Sequence, residues 1–550
     1  MSRKLVLLMT LTLLIGILGV AVQVHKVEAT ATIYIRADGT VEGTDKIQRD
    51  DDVYTLTDNI NDSVVVERDD IVVDGAGYTL QGPGALVYGS KGIDLTGRSN
   101  VTIKNMEIEA FEFGIFLWES SNNSISGNTL TNNGGGIYLW QSSKNTLSSN
   151  VMNDNKHNFG VAGGELHHYL HNVDISNLVD GNPVYYWLNQ HGAEIPSDAG
   201  YVALVNSTEI TVKDLTLSNN REGLLLVITQ NSHIANNTLT NNGYGIVLCQ
   251  SSSNSISGNN ITTNNWHGIS LTNSPSNNIF GNSITANNLH GIHLEFSSNY
   301  NSISGNNIKN NDYGVFSWAS SSYNSISGNN IKNNFIGIFL TEPSNNSIYH
   351  NNFIYNLGHV NIRLGYNISY ANWDDGYPSG GNYWSDYNGT DTNGDGIGDT
   401  PYVILSVNRD NYPLMAPYIP PAQMRVLYYD LLGKFNQLLS RHNLLNQTCQ
   451  GLLGNITNLQ DQNDSLNSTC SILQTSIDNL QDQNDSLNST LQIWVDKLQG
   501  QIDFLNSTLT SGQEAITNEL STIRNLMYLF TATTVILIAT TFYFAKRKSR

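Results

Sequence analysis

The sequence predicts a mainly β chain: a right-handed parallel β-helix of ~22-residue coils, followed by an α-helical coiled-coil stalk and one C-terminal transmembrane helix. Three observations predict it. A Gly-x-x-Leu tetrad with an aliphatic second residue returns every 22 or 23 residues, an asparagine returns every 22 to 24, and near the end leucines return every seven residues.

The tetrads begin at Gly114, Gly136, Gly223, Gly245, Gly268, Gly291 and Gly337. Each coil holds a second short element, as from Ser124 to Leu130, and then a turn such as Asn132-Asn133. These pieces are too short for helices and alternate with period two, so they read as strands. One coil cannot bury its own apolar residues, but coils stacked at about 4.8 Å align them into internal columns. Asn128, Asn150, Asn237, Asn259, Asn282, Asn306, Asn329 and Asn351 share one turn position, which predicts an asparagine ladder along the axis. The repeats are expected over 92–356, with a divergent stretch at 156–222 that continues the solenoid through strands at Val184–Leu188 and Val202–Val205. Residues 30–91 supply the first coils and a cap on the open end, which would otherwise be an aggregating edge. A second cap is expected at 357–421.

The chain opens with Arg3 and Lys4, an apolar run from Leu5 to Val22 and small residues at Ala29 and Ala31, the pattern of a signal peptide over 1–29. Leu526 to Ala545 is apolar, long enough to span a bilayer and followed by the basic tail 546–550. The localisation this predicts is the cell membrane, single-pass, with the N-terminal region outside. A net charge of −20 excludes a nucleic-acid partner. Three cysteines make no disulfide framework for a small domain. Over 422–525 the leucines from Leu445 to Leu487 keep a seven-residue period, and Cys449, Ile456, Asn463, Cys470, Ile477 and Asn484 keep a companion one. That is a heptad seam, and asparagine at its a positions predicts a parallel in-register homodimer. Cys449 and Cys470 would then face their own copies as interchain disulfides. Sequons at Asn446, Asn455, Asn467, Asn488 and Asn506 suit a glycoprotein.

Several segments resemble the NosD-like and carbohydrate-binding/sugar-hydrolysis (CASH) parallel β-helix repeat proteins. They run from Ile33 to Gly39, Val64 to Arg68, Val72 to Gly77, Gly181 to Tyr186, Asn382 to Asp386 and Asp410 to Leu414. The resemblance spans roughly 32–417, is similar to archaeal surface versions, and implies the β-helix fold. It implies three kinds of activity for such folds: copper maturation, polysaccharide cleavage, or no catalysis.

In the tetrad the second and fourth residues point inward, so the remaining ones line an outer sheet. Phe116, Trp118, Tyr138 and Trp140 fall on two adjacent coils, and Phe316, Trp318 and Phe339 on two later ones; exposed rings at that spacing suit the apolar faces of sugars. Stacked carboxylates for glycosidic acid–base work or for calcium-assisted lyase chemistry are missing, and His293 with Glu295 is the best acid/base candidate. His267 and His290 share a coil position with His293 nearby, the candidate copper ligands that the resemblance raises; His157, His167, His168 and His171 with Glu165 form a looser group. Asp391, Asn393, Asp395, Ile397 and Asp399 occupy positions 1, 3, 5, 7 and 9 of a calcium-type loop, with Gly396 at the sharp turn and Tyr402 where an EF-hand has glutamate. The expected function is glycan binding or organisation without catalysis; the alternatives are a polysaccharide hydrolase or lyase, a copper-handling accessory protein, or a structural surface-layer protein.

Overall fold

The computed structural model describes residues 32–318, 320–341, 345–363, 370–405, 407–419, 421–460 and 467–510. The expected signal peptide 1–29, span 526–545 and tail 546–550 lie outside these residues. The chain forms two compact units, one of residues 1–325, 330–346 and 355–369, the other of 326–329, 347–354 and 370–550.

The first unit is the solenoid. Its early coils have three faces of parallel strands, exemplified by Phe113–Trp118 on Gly135–Trp140, Ser124–Ser126 on Thr146–Ser148, and Thr129–Thr131 on Val151–Asn153. Identical registers superpose the inward residues: Ile115 on Ile137, Leu117 on Leu139, Ile125 on Leu147 and Leu130 on Met152, all buried. Each such side chain contributes about 1.5–3 kcal/mol when withdrawn from water, and stacking places every one against the next.

Polar turns inside the stack need internal partners, and three asparagine ladders supply them where the sequence predicts one. In the predicted ladder, Asn128 Nδ2 donates to Asn150 Oδ1 at 3.0 Å and Asn259 Nδ2 to Asn282 Oδ1 at 2.9 Å. At the turn before the tetrad, Asn133 bonds Asn155, which ends on Asn158 at the junction, and a separate later run passes through Asn264, Asn287, Asn311 and Asn334; the third passes through Asn254, Asn277, Asn301 and Asn324. His171 ends one early ladder, its Nδ1 accepting the Asn145 N–H at 3.3 Å.

The divergent stretch continues the solenoid but turns it. Leu178–Val179 pairs antiparallel with Asn182–Leu188, which pairs parallel with Tyr201–Val205 and so leads to Glu222–Val227. The tetrad strands of later coils thereby join one 14-stranded sheet with the third-face strands, not the tetrad strands, of the early coils. The early tetrad sheet ends at His157–Ala162, where the Arg221 N–H donates to Phe159 O at 2.9 Å. The 3-10 turn Leu166–Tyr169 lies beside this junction, and Ala203, Val205, Leu225 and Val227, outward by register, are buried in one cluster with Tyr169.

In the second unit two resemblance motifs meet. Asp410 Oδ2 accepts from Trp384 Nε1 at 2.9 Å and from the Asn382 N–H at 2.7 Å, and Trp384 is sandwiched between Phe353 and Tyr402 at 4.3 and 4.2 Å. Burial lifts the Asp410 carboxyl to about 6.

The C-terminal part departs from the expected parallel dimer seam in its contacts. Over the expected coiled-coil stalk 422–525 the described residues form two helices, Pro421–Gln460 and Asn467–Thr510. They pair antiparallel within the chain, His442 Nε2 with Asn488 Oδ1 at 2.9 Å and Asn446 with Asn484. Asn484, expected to face its own copy in a parallel dimer, thus has an intrachain partner. Cys449 is exposed. Among the described residues no helix is long and apolar enough to cross a membrane, which corrects the expected single-pass membrane localisation as far as those residues go; the expected span 526–545 is not among them. Both helices interleave asparagine, glutamine and aspartate with their leucines.

Candidate functional site

On the early tetrad sheet, register places Phe116 on Tyr138 and Trp118 on Trp140. Phe116 and Tyr138, expected to be exposed, are each only 6% accessible. Lys91 Nζ lies 4.3 Å from the Phe116 ring centroid, and the Arg221 guanidinium lies over Tyr138 at 4.4 Å and Trp266 at 5.0 Å. Burial and the loss of hydration lift the Tyr138 phenol far above its usual range. These two rings form a covered floor. Trp118 and Trp140 remain open, 38% and 42% accessible, with ring centroids 5.6 Å apart at 18°. Trp118 Nε1 donates to Gln141 Oε1 at 3.3 Å, which fixes the indole orientation.

In the later coils the equivalent outward tetrad positions, now on the 14-stranded sheet, carry imidazoles. His293 lies in register with Ser270 and with Phe316, which pairs with Phe339, while His290 is in register with Tyr313. The rings form a continuous stack: His267 to His290 at 4.4 Å, His290 to Phe316 at 4.3 Å, and Phe316 to Phe339 at 4.8 Å. Tyr244 and Trp266, 4.9 Å apart, extend it toward the junction. Desolvation pushes His267 down to about 2, His290 to about 3 and His293 to about 4, so all three are neutral near pH 7. His290 Nδ1 and both His293 nitrogens are buried without a hydrogen-bond partner. Glu295 Oε1 accepts from Thr272 Oγ1 at 2.7 Å, its Oε2 lies 3.9 Å from His293 Nε2, and burial raises its pKa. Trp318, 47% accessible, follows this column on the next coil, beside Phe296 at 6.1 Å.

The looser histidine group is dispersed into structural duties. His168 Nδ1 accepts the Gly164 and Glu165 N–H groups, His171 caps a ladder, and His157 Nε2 pairs with Asn265 at 2.9 Å. The calcium-type loop is assembled by its own carboxylates. Asp391 accepts the N–H groups of Gly394, Asp395 and Gly396, and Asp395 accepts that of Ile397. Asn393 Nδ2 donates to Asp395, and Asp399 turns to Thr390 and Thr392. The sequence reading missed Arg221, Tyr244, Trp266 and Tyr313. Tyr244, His267, His290 and Tyr313 all immediately precede the tetrad glycine at coil spacing, a signal that was present.

With this geometry in place, family comparison gives two matches. The profile described as "Right handed beta helix region" matches residues 49–198, and that described as "Periplasmic copper-binding protein (NosD)" matches 175–327 and 290–389. The chain is a NosD-like parallel β-helix repeat protein. No curated protein matches it. Among solved structures, the NosD-like chain is similar to the periplasmic alginate epimerase AlgG, with 16% identity, 61% of this chain and 72% of that chain covered, and a TM-score of 0.27. It is similar to the mannuronan C-5 epimerase AlgE6 A-module of Azotobacter vinelandii, with 15% identity, 58% and 87% coverage and a TM-score of 0.29. The Dettilon tailspike protein gives 14% identity, 55% and 62% coverage and a TM-score of 0.28. Superpositions of this quality transfer no residue roles.

Copper, named in the family description, was tested against the histidines. His267 and His290 are parallel within 14°. A metal–imidazole bond lies in the ring plane, so rings stacked in this way cannot both direct a lone pair at one ion about 2 Å away. Among the described residues no group of three or more His, Cys, Asp or Glu is placed to hold a metal ion. As arranged, the three imidazoles do not fit copper.

Proposed function

We propose that this NosD-like β-helix protein binds polysaccharide on the outer face of its tetrad sheet and does not cleave it. The observation that carries the reading is the Trp118–Trp140 pair, half-exposed on adjacent coils with centroids 5.6 Å apart at 18°. Near-parallel rings in van der Waals contact are about 3.5–4 Å apart in the perpendicular direction, so a 5.6 Å centroid distance means a lateral slip of about 4 Å. The indoles are shingled, and each presents part of its face to solvent. Flat apolar faces at that repeat are complementary to the C–H faces of successive sugars.

Binding without cleavage is favoured because Glu295 is engaged by Thr272 and sits beside a neutral imidazole, whereas glycoside hydrolysis calls for two carboxylates about 5–9.5 Å apart. The loop residues Asp391, Asn393, Asp395, Ile397 and Asp399 are proposed as a calcium site on the strength of an all-oxygen donor set of the type that hard cations take; the backbone of the turn is set, while its three carboxylates as placed are not gathered around one point and would close in on the ion. The test of the main reading is affinity electrophoresis of the full chain in gels containing soluble polysaccharides. Retardation lost in Trp118→Ala/Trp140→Ala supports it, and the release of new reducing or unsaturated sugar ends would replace it with an enzymatic function.

A further inference from the structure

One turn position of the later coils holds residues that the backbone disfavours. The turn residue is left-handed in coil after coil: Asn231 at φ 53°, Ser253 at 60°, Ser276 at 60° and Asn345 at 55°. These small polar residues tolerate positive φ, whereas a bulky side chain there is an outlier. In two adjacent coils the position is aromatic all the same, Tyr300 at φ 58° and Tyr323 at 56°, and Phe296, four residues before Tyr300, is left-handed at 47°. Aromatic residues held in strained backbone point to use rather than folding.

The geometry repeats that of the tryptophan pair. Tyr300 and Tyr323 are 61% and 50% accessible, with centroids 5.2 Å apart at 12°, so they too are shingled. Phe296 and Trp318, on the same two coils, are exposed beside each other at 6.1 Å. The same two coils therefore present two exposed ring pairs, offset along the chain by four residues on one coil (296 to 300) and five on the next (318 to 323). None of the described cation–ring contacts falls on these four rings or on Trp118 and Trp140, whereas Phe116 and Tyr138 carry Lys91 and Arg221. The exposed rings have no cation stacked on them to hold a sugar carboxylate, and the chain's charge of −20 repels polyanions.

We infer that Phe296, Trp318, Tyr300 and Tyr323 form a second glycan platform, and that the two platforms engage one uncharged polysaccharide bivalently; this rests on the glycan-binding reading above. One coil step separates Trp140 from Ala162 and four separate Val227 from Trp318 along the sheets, so the span is roughly 25 Å or more at about 4.8 Å per coil. A long chain reaches both platforms, and a short oligosaccharide fills only one.

The full chain is titrated with hydroxyethylcellulose and galactomannan as neutral polymers, polygalacturonate as an anionic polymer, and cellotetraose and mannotetraose as short probes. Tyr300→Asn/Tyr323→Asn installs the residue that other coils carry, so folding is retained. On the neutral polymers, losing either platform is expected to weaken binding by about 100-fold through lost avidity. On a tetrasaccharide, the tyrosine variant halves the stoichiometry from two to one and leaves the affinity unchanged. If the tyrosine variant matches wild type on every probe while Trp118→Ala/Trp140→Ala loses binding, the second platform is overturned and the first reading stands. Preference for polygalacturonate overturns the uncharged class. No binding to any probe overturns both readings.

Discussion

The early and later tetrad coils share a frame and differ in what they display. Inward, Ile115 and Leu117 do what Ile292 and Leu294 do, and every one of these is fully buried. Outward, the early coils carry Phe116, Tyr138 and the open Trp118–Trp140 pair, while the later coils carry the neutral stack of buried His267 and His293 with half-buried His290, ahead of Phe316 and Trp318. Inward residues and ladders set the coil, so the outer columns are free to change from ring to imidazole to hydroxyl without altering the register. The difference therefore locates function in the outer columns and stability in the inner ones.

The largest effect is expected from breaking the shared frame. Asn259 Nδ2 donates to Ile234 O at 3.0 Å and Asn282 Oδ1 at 2.9 Å, and its Oδ1 accepts from the backbone and side chain of Asn237 at 2.9 and 3.0 Å. Asn259→Leu orphans several buried groups and should cost about 3 kcal/mol or more, read as a lower denaturant midpoint. Asn128→Leu, in the early coils, should cost a similar amount. A loss below about 1 kcal/mol at either site would show that the ladders do not carry the frame.

A smaller effect per site separates the two regions by pH. The three imidazoles have folded-state values of about 2, 3 and 4, below the 6.5 of a free side chain. The unfolded chain therefore binds more protons below pH 6.5, and stability present at neutral pH is lost as the pH falls. At pH 5 the loss is on the order of 1–2 kcal/mol per histidine. Replacing His267, His290 and His293 by glutamine should flatten the dependence between pH 7 and pH 5. An unchanged slope in that variant would place the acid sensitivity elsewhere, at His157, His171 or His350, which desolvation depresses in the same direction.

Next comes the display itself. Trp118→Ala or Trp140→Ala should each weaken polysaccharide binding about tenfold, some 1.4 kcal/mol, with an unfolding midpoint close to wild type because both indoles are half-exposed. If the midpoint falls and the binding holds, the pair belongs to the frame rather than the site.

Coil length, inward columns and the first ladder were legible because they repeat: one coil of 22 or 23 residues states the rule and the others restate it. The junction was not, since its antiparallel pair at Leu178–Val179 and Asn182–Leu188 occurs once and has no period. Exposure was also misjudged where it depended on distant residues. Phe116 and Tyr138 point outward as period two requires, but Lys91 and Arg221 cover them, and Arg221 arrives from 83 positions beyond Tyr138 (221 − 138). The helices show the same limit: heptads specify an apolar seam, yet not whether the partner helix belongs to the same chain.

The smallest global effect is expected outside the compared coils, at the loop of Asp391 to Asp399. Its carboxylates are satisfied by backbone N–H groups in the turn, so the loop is preorganised, and bound calcium would add to an order already present. Calcium at a hundred times its dissociation constant stabilises the binding state by about 2.7 kcal/mol. If only the loop and its neighbours unfold with loss of the ion, that gain protects them locally and the coils hardly at all. Calcium should then slow proteolysis within 390–400, a chelator should reverse this, and the melting transition of the coils should move by no more than a few degrees. Asp391→Asn/Asp395→Asn should remove the protection. Protection that persists in this variant would mean that the loop is an Asp/Asn/Gly turn without an ion, and a large chelator-sensitive shift in the main transition would make calcium part of the frame that the two sets of coils share.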